Sequence, residues 1–124
     1  MTRKVLEGEG WRLGWNPTAS SFCGLLAGQS WALELTTEEF KDFCRLAIAL
    51  DEIMKAMAEQ LMGEERLTCE QETKAIWLEA DGFPTRYGLR FILLTGRKCE
   101  GAWPASVVPH LIAALSQPPF ADLL

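Results

Sequence analysis

The chain has 124 residues, of which 48% are hydrophobic and 23% are charged, and its formal net charge is −5. This length and composition predict one globular domain over residues 1–124 and exclude a largely disordered chain. The acidic balance argues against indiscriminate binding of nucleic acid through a wholly basic surface. Because the start lacks the apolar core of a secretion signal and no run of about 18 apolar residues occurs, we expect a cytoplasmic protein without a membrane span.

Three short strands are predicted in the first third of the chain. After a loose polar lead over residues 1–9, apolar and polar residues alternate over residues 10–15 and again over residues 30–35. This period is typical of half-buried strands. The apolar run over residues 22–27 is expected to form the strand between them. Short connections between the three segments predict an antiparallel meander.

A long amphipathic helix is predicted over residues 37–62. Thr36 is followed three residues later by Glu39, the pattern of a capping box, and Gly63 is a natural C-terminal stop. Apolar residues then recur at intervals of three and four, which forms a continuous seam. Either the helix packs only on its own sheet, or another side also meets a second subunit. We expect the second arrangement, and hence at least a dimer. The residues assigned to that contact are Phe43, Leu50, Met54, Met57 and Leu61.

The strand pattern resumes after this helix. Strands are predicted over residues 66–72, 74–80 and 85–95, and residues 100–103 favour a short fourth strand. Residues 81–84 supply a turn because they combine aspartate, glycine and proline. The second half therefore resembles the first in its order of elements.

A shorter helix is predicted near the C-terminus, over about residues 107–116. Ser106 is its candidate cap, and an apolar tail over residues 118–124 follows two prolines. The elements in order predict an α+β domain with an antiparallel sheet, built from a βββα unit over residues 10–63 and a second over residues 64–117. The two units imply a duplicated architecture.

Three tryptophan-containing segments carry a resemblance to known proteins. They are Glu9–Trp15, Gly28–Leu35 leading into Thr37–Phe40, and Gly101–Pro104. Together they resemble a small cyanobacterial family of uncharacterised proteins. That family is similar in fold to the Whirly-type single-stranded-DNA-binding transcriptional regulators, whose βββα units associate through their helices. The resemblance implies a Whirly-like fold and a helix-mediated assembly, and it implies no particular function.

Catalytic chemistry is not expected from this sequence. It contains no Gly-x-Ser-x-Gly, phosphate-binding loop, Gly-x-Gly-x-x-Gly or His-Glu-x-x-His motif. The single histidine, His110, lies at a predicted helix start, where a surface or capping role is far commoner than catalysis. The four cysteines include no Cys-x-x-Cys pair. We therefore expect reduced thiols, no bound metal and no cofactor.

A recognition surface is predicted on the later strands. Residues 73–98 contain five bases and two acids, a balance of +3. Strand alternation places Trp77 on the side opposite its apolar neighbours, beside arginines of the next strand. An aromatic ring flanked by arginines on an open sheet holds single-stranded nucleic acid by base stacking and phosphate neutralisation. The candidate nucleic-acid-binding residues are Lys74, Trp77, Arg86 and Arg90.

Two functions remain open at this point. One is a weak single-stranded nucleic-acid-binding module. The other is a protein-interaction or assembly factor, favoured by the net acidity, the broad apolar surface of the long helix and the tail over residues 120–124. The second function is favoured if Trp77 packs beneath a helix and the arginines are ordinary surface charges.

Overall fold

The computed structural model describes residues 3–60 and 65–124. Within these ranges, eight strands form two four-stranded antiparallel sheets. Sheet A consists of β1 (Lys4–Gly8), β2 (Trp11–Trp15), β3 (Gly24–Ala27) and β4 (Ala32–Leu35). Sheet B consists of β5 (Leu67–Glu72), β6 (Ile76–Phe83), β7 (Arg86–Leu93) and β8 (Glu100–Trp103). Helix α1 (Thr37–Gln60) joins the sheets, and α2 (Val108–Leu115) and a short 3-10 helix (Phe120–Leu123) follow β8.

The predicted α+β class and the antiparallel pairing of neighbouring strands are confirmed, but each unit is ββββα. The predicted loose lead over residues 1–9 is wrong, because its residues 4–8 form β1. That strand pairs with β2 so that Leu6 lies opposite Leu13 and adds its side chain to the rim of the core. Gly10, with φ of 84°, permits the tight turn between the two strands.

Helix α1 begins as its sequence predicts. The Thr36 amide donates to the Glu39 carboxylate at 2.9 Å, and the Glu39 amide donates to the Thr36 hydroxyl at 3.3 Å. This reciprocal pair is a capping box. The described part of the helix ends at Gln60, so the last two predicted positions lie outside the described residues. No helix in the described ranges is long and apolar enough to cross a membrane.

Two boundaries in the second half differ from the prediction. Strand β6 continues to Phe83, so the turn falls at Pro84 and Thr85. Ser106 does not cap α2, because no side chain caps that helix. Instead, the Pro104 carbonyl accepts the amides at the start of the helix, and Pro109 in the first turn has no amide to satisfy.

The core lies between α1 and the inward faces of the two sheets. Helix α1 packs mainly on β5 and β6, also contacts β3 and β4, and is covered on another side by α2 and the 3-10 helix. A cluster of aromatic rings fills the junction. It consists of Trp31, Phe43, Phe91 and Trp103, whose neighbouring ring centroids are 5.2–6.0 Å apart.

Candidate functional site

The subunit contact predicted on α1 is largely taken up by the chain itself. Phe43, Leu50 and Met54 are completely buried in the core, so none of the three offers surface to a partner in this fold. Met57 is half-buried, and Leu61 lies outside the described residues. The apolar breadth that suggested a second subunit has an intrachain explanation, because α2 and the 3-10 helix cover the second side of α1.

The apolar tail, which was expected to offer surface to a partner, is also part of the core. Phe120 is completely buried, with its ring centroid 6.0 Å from that of Phe40 on α1. Leu123 is half-buried, and the terminal Leu124 is 52% exposed. The tail therefore closes the domain beside α1.

The outer face of sheet B carries the predicted recognition residues, but they do not form one cluster. Arg90 stacks on Trp77, with its guanidinium carbon 4.9 Å from the ring centroid. Lys74 lies exposed in the turn before β6. Arg86 is opposite Phe83, which is six residues along β6 from Trp77. At about 3.3 Å per residue, Arg86 is roughly 20 Å from the tryptophan.

Carboxylates surround the Trp77–Arg90 pair. Glu79 lies opposite Arg90, and its Oε1 is 3.6 Å from the Arg90 Nε. On the next strand, β5 places Glu72 opposite Trp77 and Glu70 opposite Glu79. The net charge of +3 counted over residues 73–98 is therefore offset by the glutamates of β5, which lies outside that range but next to β6 in the sheet.

The outer face of sheet A carries an apolar area bordered by the charged residues Glu7, Arg12 and Glu34. We call its residues Val5, Gly14, Phe22, Leu25 and Ala32 the sheet A outer patch. The register places Val5, Gly14 and Leu25 in one row across three strands. Val5 is 37% and Phe22 is 39% exposed. A Cβ atom built at Gly14 would lie 3.1 Å from the Leu25 Cβ and 3.7 Å from a Val5 methyl, so these two side chains lie over Gly14, which is buried. The patch lies along a shallow depression of about 580 Å³.

Arg97 fixes one side of this patch. Its guanidinium carbon lies 4.8 Å from the Phe22 ring centroid, and its Nη1 donates to the Glu34 carbonyl at 2.7 Å. The same guanidinium binds the carboxylate of Glu39. An arginine from the connection after β7 thereby holds an exposed phenylalanine beside sheet A. Val5 falls in the segment predicted to be a loose lead, so alternation along the sequence gave no sign of the patch.

Other chemistry-bearing groups are dispersed. In residues 3–60 and 65–124, no group of three or more His, Cys, Asp or Glu side chains is arranged to hold a metal ion. Cys44 is buried, and burial raises the pKa of its thiol to about 12. His110 is exposed at the rim of an open cleft that is also lined by Glu9, Trp11 and Gln29. In the same ranges, every buried side-chain nitrogen and oxygen has a hydrogen-bond partner.

Fold and surfaces define a small α+β protein of two ββββα units. The chain belongs to the DUF1818 family, a domain of unknown function, which matches residues 6–117. It is similar to the crystal structure of a protein of unknown function from Prochlorococcus sp. NATL2A, described as belonging to the DUF155 family. The TM-score is 0.85 at 31% identity, over 92% of this chain and 96% of that chain. No curated protein matches the sequence. The similarities agree with the cyanobacterial resemblance and name no ligand or activity.

Proposed function

We propose that this protein acts without catalysis as a protein-interaction module, and that its partner binds the sheet A outer patch. The observation that carries the proposal is the row of apolar residues on the outer face of sheet A, where Val5, Gly14 and Leu25 lie side by side. The outer face of sheet B carries charged side chains around Trp77 and Phe83, as is usual for the solvent side of an antiparallel sheet. The outer face of sheet A instead exposes Val5 and Phe22 beside half-buried Leu25. Apolar side chains that lie side by side at a surface are a common feature of contacts with other proteins, and we infer that this patch serves one.

The shape of the patch favours an apolar side chain as its occupant. The Val5 and Leu25 side chains close over buried Gly14 and, with Phe22, line the depression, so an apolar side chain of a partner would lie on them and not between them. Because Val5 and Phe22 are only a little over one-third exposed, burying the remainder contributes about 0.5–1 kcal/mol each. A partner must therefore also cover surrounding surface of sheet A, and we expect a reversible interaction in the micromolar range, about −8 kcal/mol.

The structure offers a matched pair of variants for the test. Phe22 and Phe83 are 39% and 37% exposed, and each lies beneath an arginine, Arg97 and Arg66 respectively. Phe22 belongs to the patch, whereas Phe83 lies at the end of β6 in sheet B. Phe22→Asp and Phe83→Asp thus place the same charge in similar surroundings on different sheets.

The experiment captures proteins from an extract of cells that express this chain, using the wild type and both variants as immobilised baits. A partner retained by the wild type and by Phe83→Asp but lost with Phe22→Asp supports the proposal. The partner is then purified and its affinity for all three proteins is measured by calorimetry. Equal retention by all three baits, or equal loss with both variants, contradicts it.

A second candidate function is weak binding of single-stranded nucleic acid at Trp77. The Trp77–Arg90 pair favours it, since base stacking on one aromatic ring contributes about 1–3 kcal/mol and arginine adds a phosphate contact. The Whirly-like fold proposed from the sequence also supports it. Glu72 and Glu79 oppose it, because each places a carboxylate beside the pair. Binding by this face is therefore expected to be weak and to disappear as salt rises.

Fluorescence anisotropy with a labelled oligonucleotide at low salt tests this second candidate. Trp77→Ala and Arg90→Ala should weaken binding, whereas Arg86→Ala, roughly 20 Å away, should have a smaller effect. Glu79→Gln should strengthen binding because it releases Arg90 from its ion pair. Absence of a saturable change, or a change that is the same for all four variants, eliminates nucleic-acid binding at Trp77.

A further inference from the structure

We propose that two copies of this protein pair through β1, antiparallel, so that their A sheets join into one continuous sheet with Val5 of one copy opposite Val5 of the other. The proposal goes beyond the protein-interaction function and does not depend on it. Self-association through β1 also replaces the predicted contact through the apolar seam of α1, because the central residues of that seam are buried.

Strand β1 has an unpaired edge. The strand order of sheet A is β1-β2-β3-β4, so within the described residues only one side of β1 is hydrogen-bonded to another strand. Four of its five residues are exposed, the exception being half-buried Leu6. An edge of this kind presents a row of backbone donors and acceptors that another strand can pair with.

The other three sheet edges are less suited to self-pairing. At the edge formed by β4, a backbone carbonyl already accepts a hydrogen bond from Arg97. At the edge formed by β8, a carbonyl accepts one from the Trp31 indole. The third, β5, exposes Glu70 and Glu72, which would repel the same residues of a second copy. These features leave β1 as the favoured edge.

The charges on β1 select one register. Alternation along the chain puts Arg3, Val5 and Glu7 on the outer face of sheet A, with the Val5 side chain beside Gly14. The two-fold axis passes midway between the two Val5 residues and is perpendicular to the sheet. It therefore keeps the buried faces of both copies on the same side. Arg3 of each copy then lies opposite Glu7 of the other, which forms two ion pairs related by the axis. On the inner face, the aliphatic stem of Lys4 covers Leu6 of the second copy.

Neighbouring registers are worse. Centring the axis on Lys4 or on Glu7 places like charges directly opposite each other, which is destabilising. Centring it on Leu6 places Val5 against the Glu7 carboxylate. A register shifted by one residue pairs outward-facing positions of one copy with inward-facing positions of the other. It therefore turns the buried face of one sheet toward solvent. The register through Val5 alone matches opposite charges around an apolar centre.

Glu7 remains available for this contact. It forms an ion pair with Arg12 of its own chain at 3.0 Å, but both side chains are about half exposed or more, at 63% and 48% respectively. A carboxylate has two oxygens and accepts more than one donor. The ion pair with Arg12 therefore holds Glu7 over the outer face, and the carboxylate can still accept a hydrogen bond from Arg3 of the second copy.

Pairing through β1 also joins the two sheet A outer patches. In the dimer, the row of Leu25, Gly14 and Val5 continues across the axis into Val5, Gly14 and Leu25 of the second copy. A partner would then meet an apolar row about twice as long. Because β1 has only five residues, the contact is smaller than a standard interface, and we expect a dissociation constant of about 10–100 μM.

Sedimentation of the purified protein over a concentration series tests the pairing without any partner. Arg3→Glu and Glu7→Arg should each weaken the dimer about tenfold, because each replaces two attractive pairs with two repulsive ones. The double variant should regain the wild-type affinity. Arg3 and Glu7 lie four positions apart on an extended strand, so this rescue is expected only if they meet across two copies.

Two further measurements complete the test. Circular dichroism should show unchanged folding, since both residues are exposed. Hydrogen exchange should slow at β1 amides as the protein concentration rises. The proposal is overturned by a monomer at 1 mM (roughly ten times the weakest affinity expected), by a dimer that neither single swap weakens, or by a dimer that Met57→Glu dissociates while β1 exchange stays constant.

Discussion

At the scale of single residues, Glu39 connects three parts of the fold. Among the described residues it is the only buried charged side chain. Its carboxylate accepts hydrogen bonds from the Thr36 amide, the Thr95 hydroxyl and the Arg97 guanidinium. Burial alone would raise the pKa of Glu39, but these hydrogen bonds and the charge of Arg97 outweigh it, so the pKa is lowered. One carboxylate thus caps α1 and holds the connection after β7.

Replacing Glu39 with glutamine should lower the free energy of unfolding at pH 7 by about 1–3 kcal/mol, because charge-assisted hydrogen bonds are lost. Since the folded-state pKa is lowered, the stabilisation is present above the unfolded-state pKa and disappears as pH falls through the folded-state value. Urea denaturation should therefore show a shallower loss of stability below about pH 4.5 in Glu39→Gln than in the wild type.

Glu38→Gln is the matched control for this prediction. Glu38 is an exposed acid in the same first turn of α1, so its replacement removes only a favourable interaction with the helix dipole. That interaction contributes about 0.3–1 kcal/mol. An equal loss of stability in the two variants would contradict a special role for Glu39.

Several glycines lie directly beneath aromatic rings, among them Gly24 and Gly101. A Cβ atom at Gly24 would overlap the Phe40 ring, and one at Gly101 would lie 2.6 Å from the Trp31 ring. Gly96, by contrast, has no heavy atom within 4 Å of that position. Gly24→Ala and Gly101→Ala should each cost about 1–3 kcal/mol through overpacking. Gly96→Ala should change the urea midpoint little, and a similar loss at all three sites would refute the packing explanation.

At the scale of elements, the apolar residues of α1 pack against two different parts of the same chain. One side of the helix packs on sheet B and another meets α2 and the 3-10 helix, so Leu50 and Met54 are completely buried. Tyr87 of β7 donates a hydrogen bond of 2.6 Å to Asp51 on the helix. Burial, together with this bond to a carboxylate, raises the pKa of Tyr87. The helix is therefore fixed to its own domain by apolar and polar contacts.

Leu50→Glu is expected to unfold the protein instead of releasing a folded monomer. The substitution places an unpaired carboxylate in a site without solvent access, which costs several kcal/mol. Met57→Glu, at a half-buried position, should cost less and leave the domain folded. Circular dichroism and sedimentation distinguish the outcomes. A Leu50→Glu protein that stays fully folded would contradict this account.

At the scale of the whole molecule, two tryptophans join the sheets reciprocally. The Trp31 indole donates to the carbonyl of Ala102 in sheet B at 3.3 Å, and the Trp103 indole donates to the carbonyl of Ala27 in sheet A at 3.0 Å. Their ring centroids are 5.2 Å apart. If one sheet unfolded alone, the indole N–H of the other sheet would lose its carbonyl acceptor. We therefore expect the two sheets to unfold together.

Trp103→Phe should lower the free energy of unfolding by about 2–4 kcal/mol, through the lost hydrogen bond and the cavity left at a fully packed site. Trp77→Phe, on the half-exposed outer face of sheet B, should cost less than about 1 kcal/mol. Far-ultraviolet circular dichroism and tryptophan fluorescence should report one coincident transition. Two separated transitions would show that the sheets are independent.

Features that arise between residues close along the chain were predictable from the sequence alone. The capping box of Thr36 and Glu39 placed the start of α1, and apolar alternation together with short apolar runs predicted seven of the eight strands now described, because these effects act within a few residues. Even the stacking of Arg90 on Trp77 followed from alternation on neighbouring strands.

What lies against each surface followed from the three-dimensional packing alone. The packing of α2 against α1, the carboxylates of β5 beside Trp77, and the row formed by Val5, Gly14 and Leu25 all join segments far apart in the sequence. A local pattern shows that a side is apolar or charged, but it does not show which distant segment lies against it. That choice depends on the register and packing of the complete fold, which therefore determined both the buried seam and the exposed patch.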